Sequence, residues 1–281
     1  MKTILTLLLI TAMVIAGNDG YTGSSVSESS PSLQGTDDIS LTVINTFDPV
    51  TKALGLDIFE EAGTTYLLGV NNDSMFVIAY DVDTGNPEGY LPLDAANSRC
   101  FGIAWNNDTS VNTFYTNDWV ASTLFFTDDF GTSWSTGPNP AGSSARGMDF
   151  DGTDYWTTNG EGGGLWRFQP GVGEQNLAIP EVAGQPSGVA VFPYSGDVGV
   201  AVTSYSAVGI WFYVWDGSTL DYLGMAACPA TCSFSYGLAY SNNTGTLFWS
   251  YSDGSYKVSE VNFDINVSLD QNTWAGIKAS F

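Results

Sequence analysis

Between residues 41 and 263 the chain is a succession of short runs rich in Val, Ile, Leu, Phe, Tyr and Trp, separated by turns of Gly, Asp, Asn, Ser and Thr. Apolar runs of this kind, too short for helices and bounded by turn formers, predict strands. One element of the pattern repeats. A Gly followed by a large apolar residue stands at Gly55-Leu56, Gly102-Ile103, Gly147-Met148, Gly188-Val189 and Gly237-Leu238, at intervals of 47, 45, 41 and 49 residues. A period in this range marks a repeat architecture whose units cannot bury their own faces. Each unit has the same internal order: the Gly-initiated strand, a polar turn, a second strand such as Tyr155-Trp-Thr-Thr, a third such as Ile210-Trp-Phe-Tyr-Val, and a Gly or Asp turn into an outer strand. The predicted fold is all-β, a five-bladed β-propeller of four-stranded antiparallel blades opening near 55, 102, 147, 188 and 237. Small residues at the start of each inner strand suit the crowded centre of such a ring. Residues 41–47 have the layout of an outer strand, so the N-terminal strand is expected to close the last blade, with 274–281 competing for the place.

Composition sets the surroundings of that domain. Residues 1–16, one Lys followed by an apolar run ending in Ala16, read as a secretory signal peptide. Residues 17–37, rich in Ser and Gly, read as a disordered leader, and 38–281 as a single propeller domain. Seven Lys and Arg against thirty Asp and Glu give a formal charge of −23. A field of that sign repels phosphate backbones, which disfavours nucleic acid as a partner. No later stretch is apolar enough to insert into a membrane. The expected product is a secreted, extracellular or periplasmic monomer. In an oxidising compartment Cys228 and Cys232, in Cys-Pro-Ala-Thr-Cys, are placed to form a local disulfide, leaving Cys100 over.

Two resemblances extend this reading. Thr127-Asp-Asp129-Phe-Gly131-Thr-Ser133-Trp134 resembles the Asp-box of sialidase-like propellers. That resemblance implies a structural turn between third and fourth strands, with Asp129 on turn amides and Trp134 packed into the blade. Sialidase activity is not implied: Arg167 lies within a third strand and the family's Arg-Ile-Pro signature is missing. From Gly237, Gly-Leu-Ala-Tyr-Ser-Asn-Asn-Thr-Gly-Thr-Leu-Phe-Trp-Ser resembles the repeat of secreted bacterial propellers. Those include lyases, lactonases, cyclotransferases and surface-binding proteins, so the resemblance implies fold and export.

Candidate chemistry falls on the loops. Those joining second and third strands place Asp73, Asp118, Glu161 and Asp253 at the same blade position, a possible oxygen-ligand ring for Ca²⁺; the alternative is that Asn and Asp serve there as turn formers. No other cofactor is required. Trp119 and Tyr205, expected as exposed loop-tip aromatics, join Arg99 and Arg146, in loops leading into inner strands, as candidate ligand contacts. Asp57 and Asp149 share one inner-strand position where other units have Ala104, Ala190 and Ala239. The absence of His removes Ser-His-Asp and Cys-His nucleophile systems. The leading expectation is a binding or structural-interaction module for a carbohydrate or protein surface. The alternative is a glycan- or ester-directed hydrolase or lyase using channel-mouth carboxylates, which a pocket holding two carboxyls of raised pKa would favour.

Overall fold

The computed structural model describes residues 38–266 apart from 62, 71–72, 74, 107–112 and 207–208. The expected signal peptide, leader and competing C-terminal strand lie outside the described residues. Every regular element among the described residues is a strand, because β-branched and aromatic side chains pack well on both faces of a pleated ribbon. Strand β1 spans Asp38–Phe47. The first blade is β2 (Gly55–Glu61), β3 (Thr64–Val70), β4 (Phe76–Asp81) and β5 (Pro87–Pro92), and the second is β6 (Cys100–Asn106), β7 (Thr113–Asp118), β8 (Thr123–Thr127) and β9 (Ser135–Pro138). The third is β10 (Ala145–Phe150), β11 (Tyr155–Asn159), β12 (Gly164–Gln169) and β13 (Gly173–Ala178). The fourth is β14 (Pro186–Tyr194), β15 (Asp197–Ser204), β16 (Gly209–Trp215) and β17 (Leu220–Ala227). The fifth takes β18 (Phe234–Ser241), β19 (Thr246–Ser252) and β20 (Tyr256–Asn266), and is completed by β1 in the order β1-β20-β19-β18. The protein is a five-bladed β-propeller closed by its N-terminal strand.

The recurring glycines form the tightest contact of the ring. A Cβ on Gly55 would stand 2.2 Å from Phe101 O and 3.0 Å from the Cα of Gly102. One on Gly102 would meet Arg146 O at 2.2 Å, on Gly147 the Cα of Gly188 at 2.8 Å, on Gly188 Tyr236 O at 2.5 Å, and on Gly237 Leu54 O at 2.8 Å. Each inner strand therefore presses its glycine on the backbone of the next, and the fifth returns to the first. Only a residue without a side chain permits that approach.

Four of the five inner strands carry a bulge beside this glycine, at 100/103, 145/148, 186/189 and 235/238. A bulge removes ladder bonds, so the freed groups need other partners. The second strands supply them. Gly102 N donates to Asn117 Oδ1 at 2.8 Å while Asn117 Nδ2 donates to Arg146 O at 2.6 Å. Gly188 N donates to Thr203 Oγ1 and Thr203 Oγ1 to Tyr236 O, at 2.8 and 2.7 Å. Thr158 Oγ1 donates to Ser187 O at 2.5 Å, and Ser250 Oγ accepts from Gly237 N at 2.8 Å. In the first blade Gly55 pairs with Val70 without a bulge, and that position is apolar.

Between blades the faces pack as separate apolar layers. Leu56, Ile58 and Phe248 fill one, Ile103, Phe114 and Val77 another, and Phe212, Leu238 and Trp249 a third. Burying each such side chain is worth about 1.5–3 kcal/mol. Cys100 belongs to these layers: it is fully buried, and burial pushes its thiol pKa far up. In the turn between β8 and β9, Asp129 accepts from Ser133 N at 2.9 Å and Ser133 Oγ at 2.6 Å. Trp134 Nε1 reaches across to Pro92 O at 3.1 Å, tying this turn to the preceding blade.

Candidate functional site

The glycine ring divides the axis into two ends. The upper face carries the loops that lead into the inner strands and those joining second to third strands. Its centre is built by the residues just before the ring glycines, of which Leu54, Phe101 and Tyr236 are buried together with Trp119 and Tyr205 packed against them. Arg146, only 7% exposed, holds its guanidinium 5.4 Å from the Phe101 ring and 5.1 Å from the Tyr205 ring, and its Nη2 donates to Gln185 Oε1 at 2.7 Å. This arrangement combines cation–π attraction with a directed hydrogen bond. Phe234, 42% exposed, extends the platform, its ring 5.2 Å from that of Tyr205 and stacked on Tyr236.

Trp119 and Tyr205 are half-buried rather than the exposed loop tips expected from their neighbours. The apolar plug beneath them is the reason. Beside Trp119 an open cleft of about 450 Å³ is bordered by Ser98, Arg99, Asp118 and Val120, with Arg99 exposed at the rim. Asp118 is buried, and its carboxylate accepts from Arg99 N, Val120 N and Ala121 N at 3.1, 2.8 and 2.9 Å.

The four acids of the expected cation ring do not come together. Asp118 is turned onto its own loop, and Asp253 accepts from Ser255 N and Oγ at 3.1 and 3.0 Å, which holds its carboxyl below the usual range. Asp73 stands 3.9 Å from Lys52 Nζ, and Glu161 is exposed, its N–H on Asn159 Oδ1. Among the described residues no three acidic, Cys or His side chains converge as a metal-ligand set. Asp118 and Asp253 act as turn formers because an Asp side chain bonds amides two or three residues on. On the fifth blade's approach loop Cys228 and Cys232 are free thiols in hydrogen-bond contact with one another.

The lower face has the more enclosed site, a cavity of about 360 Å³ at the ends of the inner strands. Asp57 and Asp149 open into it from blades one and three. Asp57 Oδ1 accepts from Ile58 N at 2.7 Å and its Oδ2 from Trp105 N at 2.5 Å, in the next blade. Asp149 repeats this, with Phe150 N and Val191 N, both at 2.6 Å. Burial raises both carboxyls, Asp149 to about 7, and for Asp57 the charge of Asp149 adds to the effect. Glu60, Asp151 and Asp197 line the same cavity, as do Trp105, Phe192 and Tyr240. The shared Asp register marks this pair in the sequence; Glu60 near the end of β2, Asp151 in the turn after β10 and Asp197 at the start of β15 converge only through the ring geometry.

No protein-family model matches the chain, and no curated protein matches it. Its likenesses are to solved structures. The glutaminyl cyclase of Myxococcus xanthus matches with a TM-score of 0.55 at 15% identity, over 80% of this chain and 97% of that one. A chain of a nidogen/laminin complex matches with a TM-score of 0.51 at 13% identity, over 71% and 72%. Virginiamycin B lyase from Staphylococcus aureus follows at 0.47 and 12%, over 81% and 74%. The first two likenesses are of fold, and they set the chain among β-propellers.

Proposed function

We propose that the protein is an exported ligand-binding propeller that meets a carbohydrate or protein surface on its upper face. The observation that carries this reading is the Arg146 platform: a guanidinium held between Phe101 and Tyr205, flanked by Trp119 and the exposed Phe234. Rigid aromatic side chains give large contact area at low entropic cost, and the glycine ring beneath leaves the ligand on the face, not in a channel. Among the described residues no helix is long and apolar enough to cross a membrane. The test is an oligosaccharide array and a surface-display screen with the mature protein, repeated with Phe234→Ala and Trp119→Ala. Loss of at least about tenfold in affinity in both variants, with unchanged melting, is the expected result. Retained affinity would move the ligand elsewhere.

The raised carboxyls of Asp57 and Asp149 favour a second reading, a hydrolase acting on a glycan or ester at the lower cavity. Against it, each carboxylate oxygen already accepts a backbone N–H, Oδ1 from the next residue of its own strand and Oδ2 from the neighbouring inner strand, which ties the two strands together. Turnover of a glycan or aryl-ester panel by the wild type, abolished in Asp149→Asn, would replace the binding reading with this one.

A further inference from the structure

We propose that the lower axial cavity is a binding site for an organic cation, an ammonium carried on an apolar stem, distinct from the upper platform. Blade closure as such does not depend on the two central acids, although each links its inner strand to the next, Asp57 through Trp105 N and Asp149 through Val191 N. Asp57 and Asp149 occupy an inner-strand position where Ala104, Ala190 and Ala239 serve the other three blades, and those blades close equally well. Two carboxylates 6% and 7% exposed at one end of the axis are unfavourable in their charged form, and either a proton or a cation meeting them relieves this. No Lys or Arg lines the cavity, while Glu60, Asp151 and Asp197 add to its negative field. Trp105, Phe192 and Tyr240 bring aromatic surface to its wall beside aliphatic Ile58, Val191 and Val198, which suits an apolar stem and the quadrupole attraction of a ring for an alkylammonium.

The geometry is held ready. Each Asp57 and Asp149 oxygen is fixed by one backbone N–H, leaving its other lone pair for a donor in the cavity. The volume of about 360 Å³ is within the range of small-ligand pockets. A bare metal ion fits less well, since no three carboxylates converge among the described residues. Because Asp149 titrates near 7 with Asp57, Glu60, Asp151 and Asp197 around it and Tyr155 close to Asp57, an arriving cation displaces a proton below that pH.

The test is titration of the mature protein with n-hexylammonium chloride and with Nα-acetyl-lysine amide, read by calorimetry and by Trp105 indole NMR shifts. n-Hexanol and CaCl₂ serve as controls. Saturable binding of an ammonium is expected, weakening about tenfold per pH unit below 7 and about fivefold in the double variant Glu60→Gln/Asp197→Asn. Those two side chains latch no strand, so the variant keeps the test valid even where Asp149→Asn fails to fold. Trp119→Ala should bind the amine normally, which separates this site from the upper platform. Tighter binding of the lysine derivative identifies a protein side chain as the source, and tighter binding of hexylammonium a free amine. Equal binding of n-hexanol, displacement of the amine by Ca²⁺, or no binding of either amine would overturn the proposal.

Discussion

At the scale of single residues, the most informative side chains are those that make good the ladder bonds lost at the bulges. Thr203 accepts from Gly188 N and donates to Tyr236 O inside the ring. Thr203→Val keeps the shape but leaves a buried donor and a buried acceptor without their partner, so it should cost about 2–4 kcal/mol in urea unfolding. The reverse position supports the logic: Val70 lies where the first blade has no bulge, and no such bond is needed. The sequence showed Thr203 as one more β-branched strand residue. Its two-sided bonding depends on the neighbouring blade and was not legible.

Asp149 carries a second prediction at this scale. Its carboxyl is raised from 3.8 to about 7, so between these values the folded state holds a proton that the unfolded state releases. The stability it contributes is complete below about 3.8 and is lost as pH rises through about 7. Melting midpoints should therefore fall from pH 4.5 to pH 7.5, and Asp149→Asn should flatten that slope at equal ionic strength. Asp129 and Asp216, held down to about 2 by turn hydroxyls and amides, act oppositely but below this window.

Among the elements, β1 is the one on which closure depends. It pairs with β20 along nearly its whole length, and Thr46 Oγ1 meets Ser259 Oγ at 2.7 Å while Asp48 bonds Lys257 at 2.6 Å. Removing residues 38–48 exposes a long strand edge and opens the ring. A large drop in melting temperature with lost cooperativity is expected by calorimetry, and an unchanged transition would show that another segment closes the blade. The loop between β17 and β18 offers a chemical test. With the thiols of Cys228 and Cys232 already in contact, oxidised glutathione should close a bridge, seen as a loss of 2 Da by mass spectrometry in peptide 228–232.

For the whole molecule, the glycine ring makes closure a collective property. Gly188→Ala forces a methyl to within 2.5 Å of Tyr236 O and 2.6 Å of Leu238 N, contacts with backbone that no rotamer relieves. A loss of about 3 kcal/mol or failure to fold is expected, measured by denaturant unfolding. A surface glycine such as Gly173, with open space around it, should tolerate the same change with a small effect. The ring also isolates the two ends of the axis, so ligand variants on one face should leave the other unaffected.

Period and strand type were determined by the sequence itself, because Gly, β-branched and aromatic residues impose local geometry wherever they recur. So was the layout that placed 41–47 as an outer strand. The turn-forming alternative for Asp118 and Asp253 was also readable, since an Asp side chain reaches amides only a few residues away. Tertiary structure alone decided the rest. Trp119 and Tyr205 are half-buried because Leu54, Phe101 and Tyr236, from three different blades, meet beneath them. Asp57 and Asp149 influence each other because ring closure brings blades one and three to one axis, a proximity that a separation of 92 positions in the chain does not reveal.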